Sequence, residues 1–338
     1  LLTVLRSEGF TQFAQELEGP AGEGIRGCSN RLIVFAPTNA GLARRATCSP
    51  VQRRGDTEPP SDDEAKADAS QNVVGETKYD DRRRATITTT PGAVSFLTWL
   101  NDPRFVNLGG QNSSIVQVNR PNAALPIVLS GLGDSVKVTG LDIPFDCGVI
   151  RPISADLTLP RLITQTLPFL ANDKLLAILQ RTGLAAELDN RTSITFLAPD
   201  DTVLPDRPDA ELVQVLREHI LLGSPAYTPL LVNGATYATL AGTTVSVEIR
   251  GPDFFVGGAK ILNGDAIVKN GVVHTVDRLI SASTGTSTAS ATGTRATSPI
   301  VTGAAATVGL GSFQVTAVKS LGLVAAVGYV VACLTGGL

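Results

Sequence analysis

The sequence predicts an α+β protein that contains the same structural unit twice. Two stretches read almost alike: "LIVFAPTNAGL" at Leu32–Leu42 and "ITFLAPDDTVL" at Ile194–Leu204. A helix-periodic segment precedes each stretch, and short strand-like segments follow it. At 338 residues, the chain has room for two domains that each bury a core.

Two further pairs of segments occur in the same order. The segment "LLTVLRSEG" (Leu1–Gly9) matches "LLAILQRTG" (Leu175–Gly183), with apolar residues spaced as one helical stripe and a glycine at the end. The segment "DCGVIRPI" (Asp146–Ile153) matches "KNGVVHTV" (Lys269–Val276), a glycine turn followed by an alternating strand. Three blocks in the same order predict a tandem duplication.

The repeated corner predicts a strand that ends at a proline and is followed by capping residues. Pro37 and Pro199 lack a backbone N–H, so the hydrogen-bond ladder stops there. The pairs Thr38-Asn39 and Asp200-Asp201 then offer side-chain oxygens to the first turn of a following helix. Because Thr38-Asn39 cannot perform the acid–base or metal chemistry of two aspartates, we interpret both pairs as caps.

The middle parts of the two copies differ. In the second copy, a helix is predicted over Pro208–Gly223, followed by short strands with glycine turns. In the first copy, residues 52–84 contain 16 charged residues among 33 and almost no large apolar side chains. Such a composition cannot bury enough surface to order itself, so we predict a flexible, disordered insertion there. Strands resume after this segment with "SSIVQVN", "LPIVLSG" and "DSVKVTGLDI".

The C-terminal part predicts a tethered protein. Residues 281–302 are almost entirely Ser, Thr, Ala and Gly, and residues 320–338 carry no charge. A small-residue region before a terminal apolar tail is typical of a glycosylphosphatidylinositol-anchor signal, whereas a single transmembrane helix is normally followed by Lys or Arg. The predicted organisation is therefore domain 1 over 1–157, domain 2 over 160–281, a Ser/Thr-rich stalk over 282–312, and an anchor signal over 313–338.

Composition and modification motifs narrow the class of protein. The net charge is −3 and no basic stripe is present, so no nucleic-acid partner is predicted. Phosphate loops, metal-ligand clusters and dinucleotide fingerprints are absent from the sequence, and we predict no cofactor. Asn112 and Asn190 begin N-glycosylation motifs. Cys28, Cys48 and Cys147 are candidates for a disulfide in an oxidising compartment, with three unpaired thiols as the alternative.

These blocks, in this order, resemble the fasciclin domain. The second copy carries "ITFLAPDDTVL", "REHILLG" and "NGVVHTVDRLI", and the first carries "LIVFAPTNAGL" and, more weakly, "CGVIRPI". The first copy has no recognisable counterpart of "REHILLG", the segment at the end of the middle helix, called here the middle helix box. The residues that match the motifs of this family are Pro37, Thr38, Asn39, Pro199, Asp200, Asp201, His219, Gly271, His274 and Asp277.

The resemblance implies a wedge-shaped β-sandwich covered by helices, and a role in adhesion. With the stalk and anchor signal, the chain is similar to fungal cell-surface glycoproteins, whose partners would be cell-surface or matrix proteins or glycans. The alternative is a single-pass protein of a vacuolar or other internal membrane that acts in membrane contact or fusion. The family's Tyr-His motif, tied to integrin contact in animal members, corresponds here to Glu218-His219, so the tyrosine is missing.

Neither histidine of the chain has the context of a catalytic base. His219 lies beside a helical apolar stripe, and His274 lies in a strand whose counterpart in the first copy has Arg151. The sequence therefore predicts a protein that is not an enzyme. The tripeptide Arg54-Gly55-Asp56, of the kind that integrins recognise, lies in the charged insertion, where a chance triplet is the favoured interpretation.

Overall fold

The structure is a computed structural model that describes residues 1–19, 22–26, 31–48, 62–75, 92–120 and 123–280. Its contacts divide the chain into Leu1–Thr286 and Ser287–Leu338, and every described residue falls in the first unit. The predicted stalk over 282–312, the predicted anchor signal over 313–338 and the tripeptide Arg54-Gly55-Asp56 lie outside the described residues. Within the described ranges, no helix combines the length and the apolar character needed to cross a membrane.

Helices and strands alternate along the described chain. The helices are α1 (Leu2–Ser7), α2 (Thr11–Glu16), α3 (Glu23–Arg26), α4 (Asn39–Cys48), α5 (Asp62–Gln71), α6 (Ile163–Thr166), α7 (Asp173–Arg181), α8 (Leu184–Asn190) and α9 (Asp209–Glu218). The strands are β1 (Leu32–Pro37), β2 (Val73–Gly75), β3 (Gly92–Leu97), β4 (Ser114–Asn119), β5 (Ile127–Leu129), β6 (Ser135–Lys137), β7 (Ile143–Phe145), β8 (Gly148–Ile153), β9 (Ile194–Pro199), β10 (Ile220–Leu222), β11 (Thr236–Ala238), β12 (Thr244–Arg250), β13 (Asp253–Val256), β14 (Ala259–Val268) and β15 (Gly271–Val276). The chain is thus an α+β protein, as predicted.

The same strand pairing occurs in residues 1–157, called here the first half, and in residues 160–280, the second half. One sheet has the order β2-β1-β8-β7, and the other begins β10-β9-β15-β14. In each half, the strand that ends at the corner proline runs parallel to the strand that follows the glycine turn. These pairs are β1 with β8 and β9 with β15. The pairing of β1 with β8 starts at Leu32 opposite Gly148, and that of β9 with β15 starts at Ile194 opposite Gly271.

The halves differ in one strand. In the second half, β14 continues from β15 to β13, so that β11, β12 and β13 extend a sheet of seven strands. The register of β14 against β15 shifts twice, between Ile261 and Ala266. In the first half, the chain leaves the sheet between β6 and β7, and β3, β4, β5 and β6 form a separate four-stranded sheet. A strand that is bulged in one half is therefore interrupted at the same place in the other.

Each half buries its own apolar cluster between helices and the central strands. In the first half, Leu5 of α1 and Phe13 of α2 pack with Val34 of β1. In the second half, Leu179 of α7 and Leu216 of α9 pack with Phe196 of β9. The helical apolar stripes thus face the sheet, as amphipathic helices do.

The prediction of a disordered insertion over 52–84 is wrong for residues 62–75. This segment forms α5 and β2, and β2 pairs antiparallel with β1. Ala67, Ala69, Val73 and Val74 are buried. The charge count does not predict this helix because it averages over exposed Asp63 and Lys66 and buried Ala67 and Ala69.

The predicted bounds of the helix in the second copy also need correction. Helix α9 ends at Glu218, not at Gly223, and the following Ile220–Leu222 form the edge strand β10 against β9. The apolar run Ile-Leu-Leu fits a buried strand as well as a helical stripe, and pairing with β9 decides between the two.

Asn107 connects the first half to the second through four hydrogen bonds. Its backbone N–H donates to the Lys269 carbonyl at 2.6 Å, and its carbonyl accepts the Ser193 N–H at 3.4 Å. Its side-chain Nδ2 donates to the Arg191 carbonyl at 3.3 Å, and its Oδ1 accepts the Thr192 hydroxyl at 3.1 Å. Every polar group of this residue is therefore used between the halves.

An apolar cluster adds to this junction. Val116 of β4 packs with Tyr227, Ile267 and Val272 of the second half, and all four are buried. The Tyr227 side chain is 4% exposed, and burial raises its pKa to about 12. The two halves are thus packed against each other rather than joined only by a linker.

Candidate functional site

His219, the histidine of the middle helix box, is buried at the end of α9. Its carbonyl accepts the Leu197 N–H at 2.9 Å, which joins α9 to β9. On the ring, Nε2 accepts the Ile280 N–H at 3.0 Å, so Nδ1 carries the proton and donates to the Val215 carbonyl at 2.9 Å. Burial of the ring lowers the pKa of His219 to about 4. The imidazole is neutral and fully hydrogen-bonded.

Asn72 occupies the corresponding place in the first half. Its carbonyl accepts the Phe35 N–H at 2.9 Å, just as that of His219 accepts the N–H of β9. Its Nδ2 donates to the Asp156 carboxylate, which also accepts the Leu157 N–H at 3.0 Å. The segment "NVVG" over residues 72–75 therefore takes the place of the middle helix box in the first copy, although its sequence does not resemble that motif. The charged helix before it hid the signal.

His274 lies in β15 and has the opposite tautomer. Its Nδ1 accepts the Asp265 N–H at 3.0 Å, so Nε2 carries the proton and donates to the Ala226 carbonyl at 2.9 Å. Burial lowers the pKa of this ring, against the opposing influence of the Asp265 carboxylate. That carboxylate accepts hydrogen bonds from the N–H and the hydroxyl of Thr228. His274 thus joins β15 to the bulge of β14 and to the segment before Thr228.

Arg151 of β8 corresponds to His274 in register and also has an acidic partner. Its Nε donates to Asp142 Oδ1 at 2.8 Å, and its Nη2 donates to Asp142 Oδ2 at 2.6 Å. A third bond joins Nη1 to Gln117 Oε1 at 2.6 Å, and the guanidinium lies 5.7 Å from the centre of the Phe35 ring. The Arg151 side chain is only 3% exposed.

Asp142 and Asp265 were not singled out from the sequence. The strand registers place Ile143 opposite Ile150 and Ala266 opposite Val273, so the two aspartates occupy equivalent positions just before these residues. Each half therefore has an aspartate next to the basic residue of its last strand, Asp265 buried and Asp142 partly exposed. Only the register reveals this pair, since the aspartates lie outside the recognised motifs.

The residues after the corner prolines act as caps. Thr38 Oγ1 accepts the Gly41 N–H at 3.2 Å at the start of α4. Asp200 Oδ1 accepts the Thr202 N–H at 2.9 Å in the short 3-10 turn Asp201–Val203. In both halves, the first residue after the proline thus stabilises the turn that follows it.

The second residues of these pairs cap a different helix from the predicted one. Asn39 Oδ1 accepts the Gln12 N–H at 3.1 Å, in the first turn of α2. Asp201 accepts the N–H groups of Lys174 and Leu175 at 2.7 and 2.9 Å, in the first turn of α7. The prediction that they cap the following helix is wrong, because these side chains reach back to a helix that packs beside the corner.

Gly271 and Asp277 fix the ends of β15. A Cβ at Gly271 would lie 1.7 Å from the Ile194 carbonyl oxygen, which only glycine avoids. Asp277 accepts the Lys260 N–H at 2.8 Å through Oδ1, and the adjacent Arg278 holds the pKa of this carboxyl below its usual range. The corner prolines are the last residues of their strands, Pro37 opposite Ile153 and Pro199 opposite Val276.

The modification motifs lie in different environments. Asn112 is half-buried, and its Nδ2 donates to the Thr98 carbonyl at 2.8 Å. Asn190 is exposed at the end of α8. Cys147 is disulfide-bonded, while the side chains of Cys28 and Cys48 lie outside the described residues, so the pairing remains a prediction.

The motif side chains described above make their hydrogen bonds to other residues of their own half and so join its elements. The two histidines are at most 1% exposed. Across the described ranges, no group of three or more His, Cys, Asp or Glu side chains is arranged to hold a metal ion. These side chains support strands, turns and chain ends.

Residues 172–282 match the family model of the fasciclin domain. This match supports the resemblance that the motifs of the second copy indicate, over the same part of the chain.

Relatives and a solved structure extend the comparison. A fasciclin-like arabinogalactan protein of Cercospora beticola is 30% identical over 190 residues, which are 53% of this chain and 50% of that protein. Another, of Arthroderma benhamiae, is 28% identical over 202 residues, 57% of this chain and 46% of that protein. The chain thus spans about half the length of these curated relatives. A FAS1 domain pair from the insect cell adhesion molecule fasciclin I aligns with a TM-score of 0.37 and 13% identity, covering 81% of this chain and 96% of that one.

Proposed function

We propose that this protein is a non-enzymatic, extracellular glycoprotein that contacts cell-surface or matrix proteins or glycans. Two fasciclin-type domains in tandem would present the contact surfaces, and the C-terminal region would hold them on the outer face of the cell through a lipid anchor. The observation that carries this proposal is the internal use of the motif side chains. They hold the scaffold together and leave its surface for recognition.

The tandem arrangement is supported by the pairing of the strands. Both halves have a parallel pair of strands that starts at a glycine and an antiparallel edge strand after a helix. Both also have an aspartate bonded to the basic residue of the last strand, Asp142 to Arg151 and Asp265 to His274. Asn72 and His219 make the same backbone contact to the corner strand of their half. So many shared details are the expected result of duplication of one unit.

A non-catalytic role is supported by the environment of the histidines. A general base must accept a proton from a substrate within hydrogen-bond reach. In His219 and His274, one ring nitrogen accepts a backbone N–H and the other donates to a carbonyl. Neither ring can serve an external substrate without the loss of a buried hydrogen bond.

An extracellular location is supported by three features. Relatives named fasciclin-like arabinogalactan proteins match this chain, Cys147 is disulfide-bonded, and Asn190 is exposed. Disulfides persist mainly in oxidising compartments. We expect an N-glycan on Asn190 and none on Asn112, whose amide is used in the fold.

The glycan prediction is tested by electrophoresis of the secreted protein before and after treatment with peptide N-glycosidase. The Asn190→Gln variant should migrate like the deglycosylated wild type, and Asn112→Gln should migrate like the untreated wild type. The opposite pattern would show that the half-buried acceptor is the one used.

The anchor is tested on intact cells that express the full chain. Treatment with a phosphatidylinositol-specific phospholipase C should release the protein into the medium, and deletion of residues 313–338 should give secretion without treatment. Retention of the protein in internal membranes after treatment would favour the vacuolar, single-pass alternative and overturn the lipid anchor.

The contact function is tested by the attachment of cells to surfaces coated with the purified, glycosylated protein. Attachment should exceed that to surfaces coated with the same protein after heat denaturation. Equal attachment to both coatings would mean that no folded surface is recognised.

The non-enzymatic part of the proposal is tested by an assay for hydrolytic activity. A hydrolytic turnover of the wild type that is lost in His219→Ala would contradict it.

A further inference from the structure

His219 holds the last described residue of the fold. The Ile280 N–H donates to His219 Nε2 at 3.0 Å, and the Ile280 side chain is buried in a cluster with Leu197 and Leu221. Beyond Ile280, the chain continues into residues 281–338. The connection between the fold and the rest of the chain therefore includes an unprotonated ring nitrogen.

We propose that His219 is an acid-sensitive latch, and that its protonation releases residues 278–280 from the body of the second half. A proton on Nε2 turns the acceptor into a donor, which then faces the Ile280 N–H. The second donor of the ring is already directed at the Val215 carbonyl. The imidazolium thus has no acceptor at Nε2 and is buried, and both conditions are relieved when the segment leaves.

The segment can open without the rest of the half because its two ends are held differently. Asp277 is bound to Lys260 by two hydrogen bonds, of 2.8 and 3.0 Å, so the chain stays fixed at that point. The backbone bond described for Ile280 is the one to His219, and its remaining support is apolar packing. We therefore expect opening between Asp277 and the end of the described chain, with β15 in place.

The charged groups around the ring do not counteract this effect. On α9, Arg217 is paired with Glu187 at 3.1 Å, and Glu218 precedes the histidine in the chain. On the C-terminal segment, Asp277 and Arg278 bind each other at 2.9 Å. Strand β9 contributes Phe196 and apolar neighbours. Burial and the Val215 carbonyl are the influences on the titration of the ring, and burial is the larger.

The first half offers the matched control. Asn72 makes the backbone contact that His219 makes, and its amide does not titrate between pH 5 and 7. A His219→Asn variant introduces the residue that this fold already uses at the equivalent place. It keeps a polar side chain near Ile280 but removes the proton-dependent change.

The test is hydrogen exchange of the full-length protein at pH 7 and pH 5, corrected for the intrinsic rates. A ring whose pKa rises from about 4 to its ordinary value on opening makes opening about twentyfold more frequent at pH 5 than at pH 7. We expect the corresponding loss of protection at pH 5 in peptides that end at Ile280. Strands β9 and β15 should stay more strongly protected at both pH values. In His219→Asn, the protection of residues 278–280 should be equal at the two pH values, because residue 219 then takes up no proton on opening.

Two results would overturn the proposal. One is an equal loss of protection in wild type and His219→Asn; the other is exchange of β9 and β15 together with residues 278–280, which would indicate unfolding of the whole half. If His219→Asn does not fold, nuclear magnetic resonance of the wild type decides. The Ile280 amide signal must then shift or broaden with the same midpoint as the His219 ring, and a midpoint that differs contradicts the latch.

Discussion

At the scale of the residue, Gly271 shows how a backbone contact constrains sequence. The Ile194 carbonyl oxygen lies where a Cβ would be, and Gly148 has the same relation to Leu32 in the first half. We expect Gly271→Ala to lower the free energy of unfolding by more than about 4 kcal/mol, because β9 and β15 must separate. Urea denaturation measures this change. Gly251→Ala is the control, since its φ is +61° with no atom within 4 Å of a Cβ, and should cost only about 1–2 kcal/mol.

The pair of Arg151 and Asp142 is a second case at this scale. Removal of one member leaves a buried charge, so Asp142→Ala should cost about 3–5 kcal/mol in thermal or urea unfolding. The double variant Asp142→Ala, Arg151→Leu should recover most of that loss, because no charge remains buried. The exposed pair of Glu248 and Arg250 provides a comparison, and Glu248→Ala should leave stability unchanged within error. A double variant as unstable as the single one would contradict this account.

At the scale of the element, α7 depends on a cap that comes from another part of the chain. Asp201 accepts two N–H groups of its first turn. Asp201→Ala should therefore lower the free energy of unfolding by about 1–2 kcal/mol, and Asp201→Asn by less, since one acceptor oxygen remains. Equilibrium urea unfolding of both variants checks the order. Equal stability of the three proteins would show that solvent caps α7 equally well.

The elements also show which features the sequence could and could not predict. Strands β1 and β9 are recognisable because an apolar run ends at a proline and a cap, all within a few residues. Helix α5 is not predicted because its buried residues are two alanines and the polar Asp68 and Gln71, a pattern that composition cannot separate from disorder. The end of α9 was misplaced because Ile220–Leu222 satisfies both periodicities. The partners of Arg151 and His274 depend on strand register, which is a property of paired segments rather than of either segment alone.

At the scale of the whole molecule, the buried histidines predict a loss of stability in acid. The pKa of His219 is about 4 in the folded state and has its ordinary value when unfolded, so the unfolded state binds a proton first as the pH falls below about 6.5. The free energy of unfolding should be about 2 kcal/mol lower at pH 5 than at pH 7 from this residue. His274, whose pKa is also lowered, acts in the same direction.

Urea unfolding at the two pH values measures this dependence. In His219→Asn, the decrease between pH 7 and pH 5 should be smaller by about 2 kcal/mol, with the part due to His274 remaining. An unchanged pH dependence in this variant would mean that other groups, such as carboxylates, account for the acid sensitivity.

The bonds of Asn107 and the cluster around Val116 have a consequence for avidity. Because every polar group of Asn107 is engaged across the junction, the distance and angle between the outer surfaces of the halves are set by packing rather than by a tether. A ligand with two matching epitopes would meet both surfaces at a fixed spacing, and would not lose the entropy of ordering a flexible connection on binding the second. On the proposed contact function, the same packing would make the pair selective for ligands of one particular geometry.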